Sequence, residues 1–85
     1  MKDVDLISGA VSYLAEEHKK IIAINHEVEF SAKHVADVVR GYAGSVGRVA
    51  GKIILNLQAM DISCEYDKNS TPKKFILYGQ KFVNS

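Results

Sequence analysis

A chain of 85 residues with a formal net charge of +1 is long enough for one domain, because two independent cores would each be too small. The composition is 47% hydrophobic and 25% charged, which argues against disorder and against a fibrous repeat. No apolar run approaches the roughly 18 residues that span a bilayer, and the first residues do not resemble a signal peptide. A single cysteine, Cys64, excludes an internal disulfide and fits a reducing compartment. We therefore expect one small cytoplasmic domain, residues 1–85, with no membrane contact.

The charges are distributed unevenly along the chain. Residues 1–30 hold three lysines against six acids, a net charge of −3, whereas residues 31–85 hold eight cations against four acids, a net charge of +4. Such an asymmetry can give a nearly neutral protein a positive face, and positive faces attract anionic partners.

The first predicted element is an amphipathic helix from about residue 3 to about residue 23. Its apolar residues recur three or four positions apart at Val4, Ile7, Val11 and Leu14. Leu6 and Tyr13 lie together, rotated away from this stripe. They are either a contact with a second copy of the chain or part of a core that wraps around the helix on two sides.

A short strand and a second helix are predicted next. Residues 27–30 alternate polar and apolar, which is typical of a half-buried strand. Ser31 is a natural N-cap for a helix over about residues 32–40, and Gly41 can end that helix in the left-handed conformation. The apolar side of this helix would carry Val35, Val38 and Val39.

The third predicted helix covers about residues 46–60, with Ser45 as its N-cap. Its apolar stripe consists of Val46, Val49, Ala50, Ile53, Leu57 and Met60. The opposite face holds Gly47, Arg48, Gly51, Leu55 and Gln58, with Lys52 nearby. Two glycines one turn apart weaken a helix, and this suggests that either a partner or another helix approaches closely.

The last predicted element is a β-hairpin over residues 62–78. Ile62, Cys64 and Tyr66 alternate with polar residues, residues 68–72 have turn chemistry, and residues 73–78 are rich in aromatic and β-branched side chains. Cys64 is expected to be a small core residue. Residues 80–85 form a tail for which the sequence predicts no structure.

This order of elements resembles the winged helix-turn-helix family. The resemblance rests on three segments. Residues 28–31 are a strand that leads into a capped helix, and residues 35–49 are similar to that family's turn and start of the recognition helix. Residues 72–78 resemble the return strand of its wing. It implies an α+β fold of three helices with a C-terminal two-stranded hairpin as the wing. It also implies a DNA-binding function without catalysis or cofactor, most simply a homodimeric transcriptional regulator on double-stranded DNA.

The resemblance implies that helix 3 enters the major groove and that the wing holds the flanking backbone. The candidate DNA contacts are Ser45, Arg48, Lys52, Gln58, Lys68, Lys73 and Lys74. Arg48 can donate to a guanine edge, and Lys52, four residues later, can meet phosphate. Lys73 and Lys74 are adjacent in a strand and point to opposite sides, so only one of them is expected to contact DNA. Because such regulators usually pair, Leu6 and Tyr13 become the expected dimer contact.

Two other interpretations of the same residues remain open. The cations can simply be solvated, and the nearly neutral net charge favours a protein-docking module that uses Gly47, Gly51 and Leu55. An RNA-binding winged helix would normally carry more lysine.

The three histidines and Cys64 lack the spacing of a metal site, and no catalytic constellation is present, so neither a metal nor an enzyme is expected.

Overall fold

The computed structural model describes residues 2–79, and within them the chain is an α+β protein with four helices and one three-stranded antiparallel sheet. The elements are α1 (Asp3–Lys19), β1 (Glu27–Ser31), α2 (Ala32–Val39), α3 (Ala43–Arg48), α4 (Ala50–Ala59), β2 (Cys64–Asp67) and β3 (Lys74–Tyr78). The predicted tail, residues 80–85, lies outside the described residues. None of the described helices is long and apolar enough to span a membrane.

The sheet has three strands where the sequence predicted a two-stranded hairpin and a separate short strand. Its order is β1-β3-β2, so the last strand in sequence is the central one. β1 pairs with β3 along its whole length, from Glu27 opposite Tyr78 to Ser31 opposite Lys74. Because β3 is central, its side chains are flanked by those of β1 and β2, and Phe75, Ile76 and Leu77 are all buried.

The first helix is shorter than predicted. α1 ends at Lys19, and residues 20–23 form tighter turns. In these turns the N–H of Ile21 donates to the carbonyl of His18, and the N–H of Ile24 donates to the carbonyl of Ile21, both at 3.0 Å. Such i to i+3 bonds end the regular helix and turn the chain towards β1.

The buried face of α1 also differs from the predicted stripe. It consists of Leu6, Ala10, Leu14, Ala15 and His18, while Val4 is 68% exposed. The reason is close packing against small residues, which a pattern of large apolar residues does not report. A Cβ atom on Gly9 would lie 3.2 Å from Cγ1 of Val39, and one on Gly41 would lie 2.9 Å from Cδ1 of Leu6. The two glycines therefore bring α1 against α2 with Leu6 inside the contact.

The second helix begins as predicted but ends differently. The Ser31 hydroxyl accepts a hydrogen bond from the N–H of His34 at 3.0 Å, which confirms the cap and stabilises the helix by about 1 kcal/mol. At the other end Arg40, and not Gly41, takes the left-handed conformation, with φ 60° and ψ 39°. Val38, expected on the apolar side, is exposed.

The predicted third helix is two helices. The chain leaves helical geometry at Val49, with φ −104° and ψ 9°, and this break separates α3 from α4. Gly47 and Gly51, on either side of the break, have a low helix propensity and make such a departure inexpensive. The predicted stripe is otherwise buried as expected, at Val46, Val49, Ala50, Ile53 and Leu57, whereas Met60 lies after the end of α4 and is exposed.

Candidate functional site

A groove of about 1180 Å³ runs between α3–α4 and the hairpin formed by β2 and β3. We call it the helix–hairpin groove. Its helical wall combines small residues, Ala43, Gly44, Gly47, Ala50 and Gly51, with the larger Arg48, Lys52, Ile54, Leu55 and Gln58, and its opposite wall includes Glu65, Tyr66, Lys68, Pro72 and Lys73. At Gly44 and Gly51 the helix backbone is open to close approach.

Five of the seven predicted DNA contacts lie together along this groove. They are Arg48, Lys52, Gln58, Lys68 and Lys73, contributed by both walls. Lys33, at the start of α2, joins them, so the groove is lined by five cations against one acid, Glu65, a net charge of +4. Five of the eight cations of residues 31–85 thus lie along one groove.

The cations of the groove differ in whether they are already paired. Arg48 donates from Nη2 to Oδ1 of Asp3 at 2.9 Å, and Lys33 lies 3.3 Å from Asp37. Three others, Lys52, Lys68 and Lys73, are exposed and form no ion pair with any acid in the described part of the chain. These three lysines are the charges that an incoming anion meets without displacing a partner.

The single acid of the groove is held by a neighbouring strand. The Tyr78 hydroxyl donates to Oε1 of Glu65 at 2.7 Å. This hydrogen bond, with smaller contributions from burial and from nearby carboxylates, raises the pKa of Tyr78 to about 12. Glu65 is thus engaged within the sheet, and it forms no ion pair with any lysine or arginine of residues 2–79.

Two predicted contacts are not brought into the groove. Lys74 lies 3.0 Å from Glu29 of β1, and its side chain is largely buried. Lys73 and Lys74 thus have different surroundings, as expected for adjacent strand positions. Ser45 is the third residue of α3 and not its N-cap, because the helix begins two residues earlier, after Tyr42. The prediction that Ser45 caps this helix is therefore wrong, whereas its contact with DNA stays a prediction.

The glycines of the helical wall divide into two kinds. A Cβ atom on Gly47 would lie 3.3 Å from the hydroxyl oxygen of Tyr66, so Gly47 has a packing role inside the molecule. Gly44 and Gly51 face open space, with nothing within 4 Å of such an atom. Internal packing among the described residues accounts for Gly47 but not for Gly44 or Gly51.

The structure does not support the predicted dimer contact, which is wrong at Leu6. Leu6 is only 2% exposed and belongs to the core. Tyr13 is partly buried, its hydroxyl lies 2.8 Å from Nε2 of His34, and its ring meets Phe30 edge-on at 5.8 Å. The core does wrap around α1 on two sides, which was the other interpretation of these residues.

The histidines and the cysteine have structural surroundings. His18 is buried and donates from Nε2 to the carbonyl of Tyr78 at 2.9 Å. Cys64 is buried in the core, as expected, and burial together with the nearby Glu65 carboxylate raises its thiol pKa to about 11. Within residues 2–79 no three histidine, cysteine or acidic side chains are grouped as a metal site would require.

Sequence reasoning missed the parts of the groove that depend on tertiary structure. Lys33 lies 15 positions before Arg48, the next cation of the groove, and reaches the groove because α2 packs against α3. Pairing of Arg48 with Asp3 joins positions 45 apart in the chain. No local pattern reports either contact.

The match between these features and the winged helix-turn-helix family remains a prediction. Searches with family models, among curated proteins and among solved structures give no match to this chain. The helix–hairpin groove is therefore the basis for the function proposed next.

Proposed function

We propose that this chain is a DNA-binding protein of the winged helix-turn-helix kind, with the helix–hairpin groove as its contact surface for double-stranded DNA. The observation that carries the proposal is the set of three lysines, Lys52, Lys68 and Lys73, that line the groove and form no ion pair within residues 2–79. Unpaired cations release counterions from DNA when they meet phosphates, and this release supplies most of the sequence-independent affinity.

The arrangement of the helices supports the same proposal. α2 and α3 are joined by a turn of only three residues, Arg40, Gly41 and Tyr42, as in a helix-turn-helix unit. In such a unit the second helix and its continuation face the nucleic acid. Here that continuation is α4, which carries Lys52 at its beginning and Gln58 near its end.

The roles of the groove residues follow from their chemistry. Gly44 and Gly51 leave room for a phosphate backbone to approach the helix, and lysines from both walls meet the phosphates. Arg48 and Gln58 are the groove side chains suited to base edges, the first to guanine and the second to adenine. Gln58 has only a long hydrogen bond, 3.4 Å, to the carbonyl of Cys64. Backbone contact thus dominates, with base recognition confined to two side chains.

The proposal is tested by titrating a fluorescent duplex with the protein at several salt concentrations and following anisotropy. Three phosphate contacts should give a slope of about −2.7 in log K against log salt, from about −0.9 per contact. Replacing Lys73 with glutamine should lower the magnitude of that slope by about 0.9 and weaken binding to all sequences alike.

Lys74→Gln is the matched control for that substitution. It removes the same charge at the next residue, but its partner is Glu29 on the neighbouring strand. We expect Lys74→Gln to leave the slope nearly unchanged. Equal effects of the two substitutions would contradict the groove as the contact surface, and no binding of any duplex at low salt would refute the DNA-binding function.

A second candidate function is docking of another protein in the same groove. Leu55 lines the groove and is 66% exposed, which favours an apolar partner more than a phosphate backbone. Affinity that rests on Leu55 would depend little on salt and would be lost on Leu55→Asp. A duplex titration without binding at low salt would favour this candidate.

A further inference from the structure

The ion pair between Arg48 and Asp3 links the helix–hairpin groove to the start of α1. The two side chains are 62% and 51% exposed. An ion pair so accessible to water contributes little to folding. It can nevertheless influence any ligand that competes with Asp3 for the same guanidinium.

Asp3 changes what Arg48 offers to a nucleic acid. A guanidinium has five N–H donors, and the bond to Asp3 is made by Nη2 alone, so most of the donors remain available. The carboxylate, however, compensates the positive charge. Phosphate is an anion and is attracted by that charge, whereas O6 and N7 of guanine are neutral acceptors that need only donors in the right direction.

We propose that Asp3 is a specificity-determining residue of the groove, because it weakens the attraction of Arg48 for phosphate and leaves its donors available to a base edge. The inference rests on the proposed function and deepens it. Without Asp3, Arg48 becomes another backbone-binding cation, and the protein binds DNA of arbitrary sequence more tightly.

The chain provides a matched control in Asp5. It lies in the same first turn of α1, is exposed, carries the same charge and has no described contact with Arg48. Both acids also interact favourably with the positive end of the helix dipole, so their replacement by asparagine disturbs α1 to a similar degree. A difference between the two variants therefore reports on Arg48.

The experiment measures the affinity of the full chain for a random-sequence duplex at about 50 and about 200 mM salt. The proteins are wild type, Asp3→Asn, Asp5→Asn, Arg48→Gln and the two double variants that combine Arg48→Gln with each asparagine. We expect Asp3→Asn to bind up to about fivefold more tightly than Asp5→Asn, the range that exposed ion pairs allow. Its salt slope should be steeper by about 0.9, the contribution of one extra phosphate contact. In the Arg48→Gln background the two asparagine variants should bind alike.

Three other outcomes are possible, and each of them would overturn the proposed role of Asp3. Equal affinities and slopes for Asp3→Asn and Asp5→Asn would overturn the inference while leaving DNA binding established. An advantage of Asp3→Asn that persists without Arg48 would show a general charge effect and would also overturn it. No duplex binding by any of the proteins would refute the proposed function, and the inference with it.

Discussion

Replacing Gly51 with alanine should stabilise the fold and weaken DNA binding at the same time. Gly51 is in the first turn of α4, where a Cβ atom meets nothing within 4 Å. Alanine is more favourable than glycine in a helix by up to about 1 kcal/mol, partly through the lower entropy of its unfolded chain. We expect a gain of about 0.5–1 kcal/mol in the free energy of unfolding. For a domain of this size that corresponds to roughly 2–8 °C in Tm.

The effect on binding has the opposite sign because the new methyl group stands on the wall of the groove. If the phosphate backbone approaches the helix there, the methyl holds it away. Loss of one charge-assisted hydrogen bond amounts to about 1.5–3 kcal/mol, or roughly 10- to 150-fold in Kd. Thermal unfolding followed by circular dichroism measures the first effect, and duplex anisotropy measures the second.

Gly47 supplies the internal control. Its Cβ atom would lie 3.3 Å from the hydroxyl oxygen of Tyr66, so Gly47→Ala crowds the interior and should gain less stability than Gly51→Ala. A Gly51→Ala protein that melts higher but binds duplex as well as wild type would refute the idea of close backbone approach at this wall. A lower Tm would refute the assignment of Gly51 to open space.

Two further predictions concern groups beneath the groove. Burial, with a smaller contribution from Glu65, raises the pKa of the Cys64 thiol to about 11 from an ordinary 9.0, so the folded state holds this proton more tightly. The protonated thiol therefore contributes stability that is complete below pH 9 and is lost as the pH rises towards 11. Alkylation of Cys64 at pH 9 should be much slower in the folded protein than in the urea-unfolded protein. The Tyr66 hydroxyl is buried without a hydrogen-bond partner among the described residues. Tyr66→Phe should therefore leave the free energy of unfolding unchanged or raise it by about 1 kcal/mol, and a loss measured by urea unfolding would mean that the hydroxyl does have a partner.

Local chemistry explains which elements the sequence predicted well. The Ser31 cap depends on contacts within three residues, and the structure contains it. The apolar stripe of the third predicted helix is buried at five of its six positions, since large apolar side chains three or four residues apart must lie on one face. The three strands also lie close to where alternation predicted them.

The errors have a common physical origin in contacts between distant parts of the chain. The buried side of α1 is set by the fit of Leu6 over Gly41, 35 positions later, and not by the most regular apolar stripe. Leu6, which lies outside that stripe, was predicted to contact a second copy of the chain and is instead buried by this fit. Likewise, β1 becomes an edge strand of the sheet because β3 folds back between it and β2.

The candidate site shows the same limit in its charges. Four of the five candidate cations are expected from the sequence to contact DNA, because Lys73 and Lys74 point to opposite sides, and four contacts would give a salt slope of about −3.6. The fold pairs two of the five, Arg48 with Asp3 and Lys74 with Glu29, and both partners lie far away in the chain. Three lysines remain without an ion pair to any acid of residues 2–79, and their expected slope is about −2.7. The sign of the charge on a surface therefore follows from composition, whereas the number of phosphates that the surface can neutralise depends on the ion pairs made by the fold. A measured slope distinguishes the two counts directly.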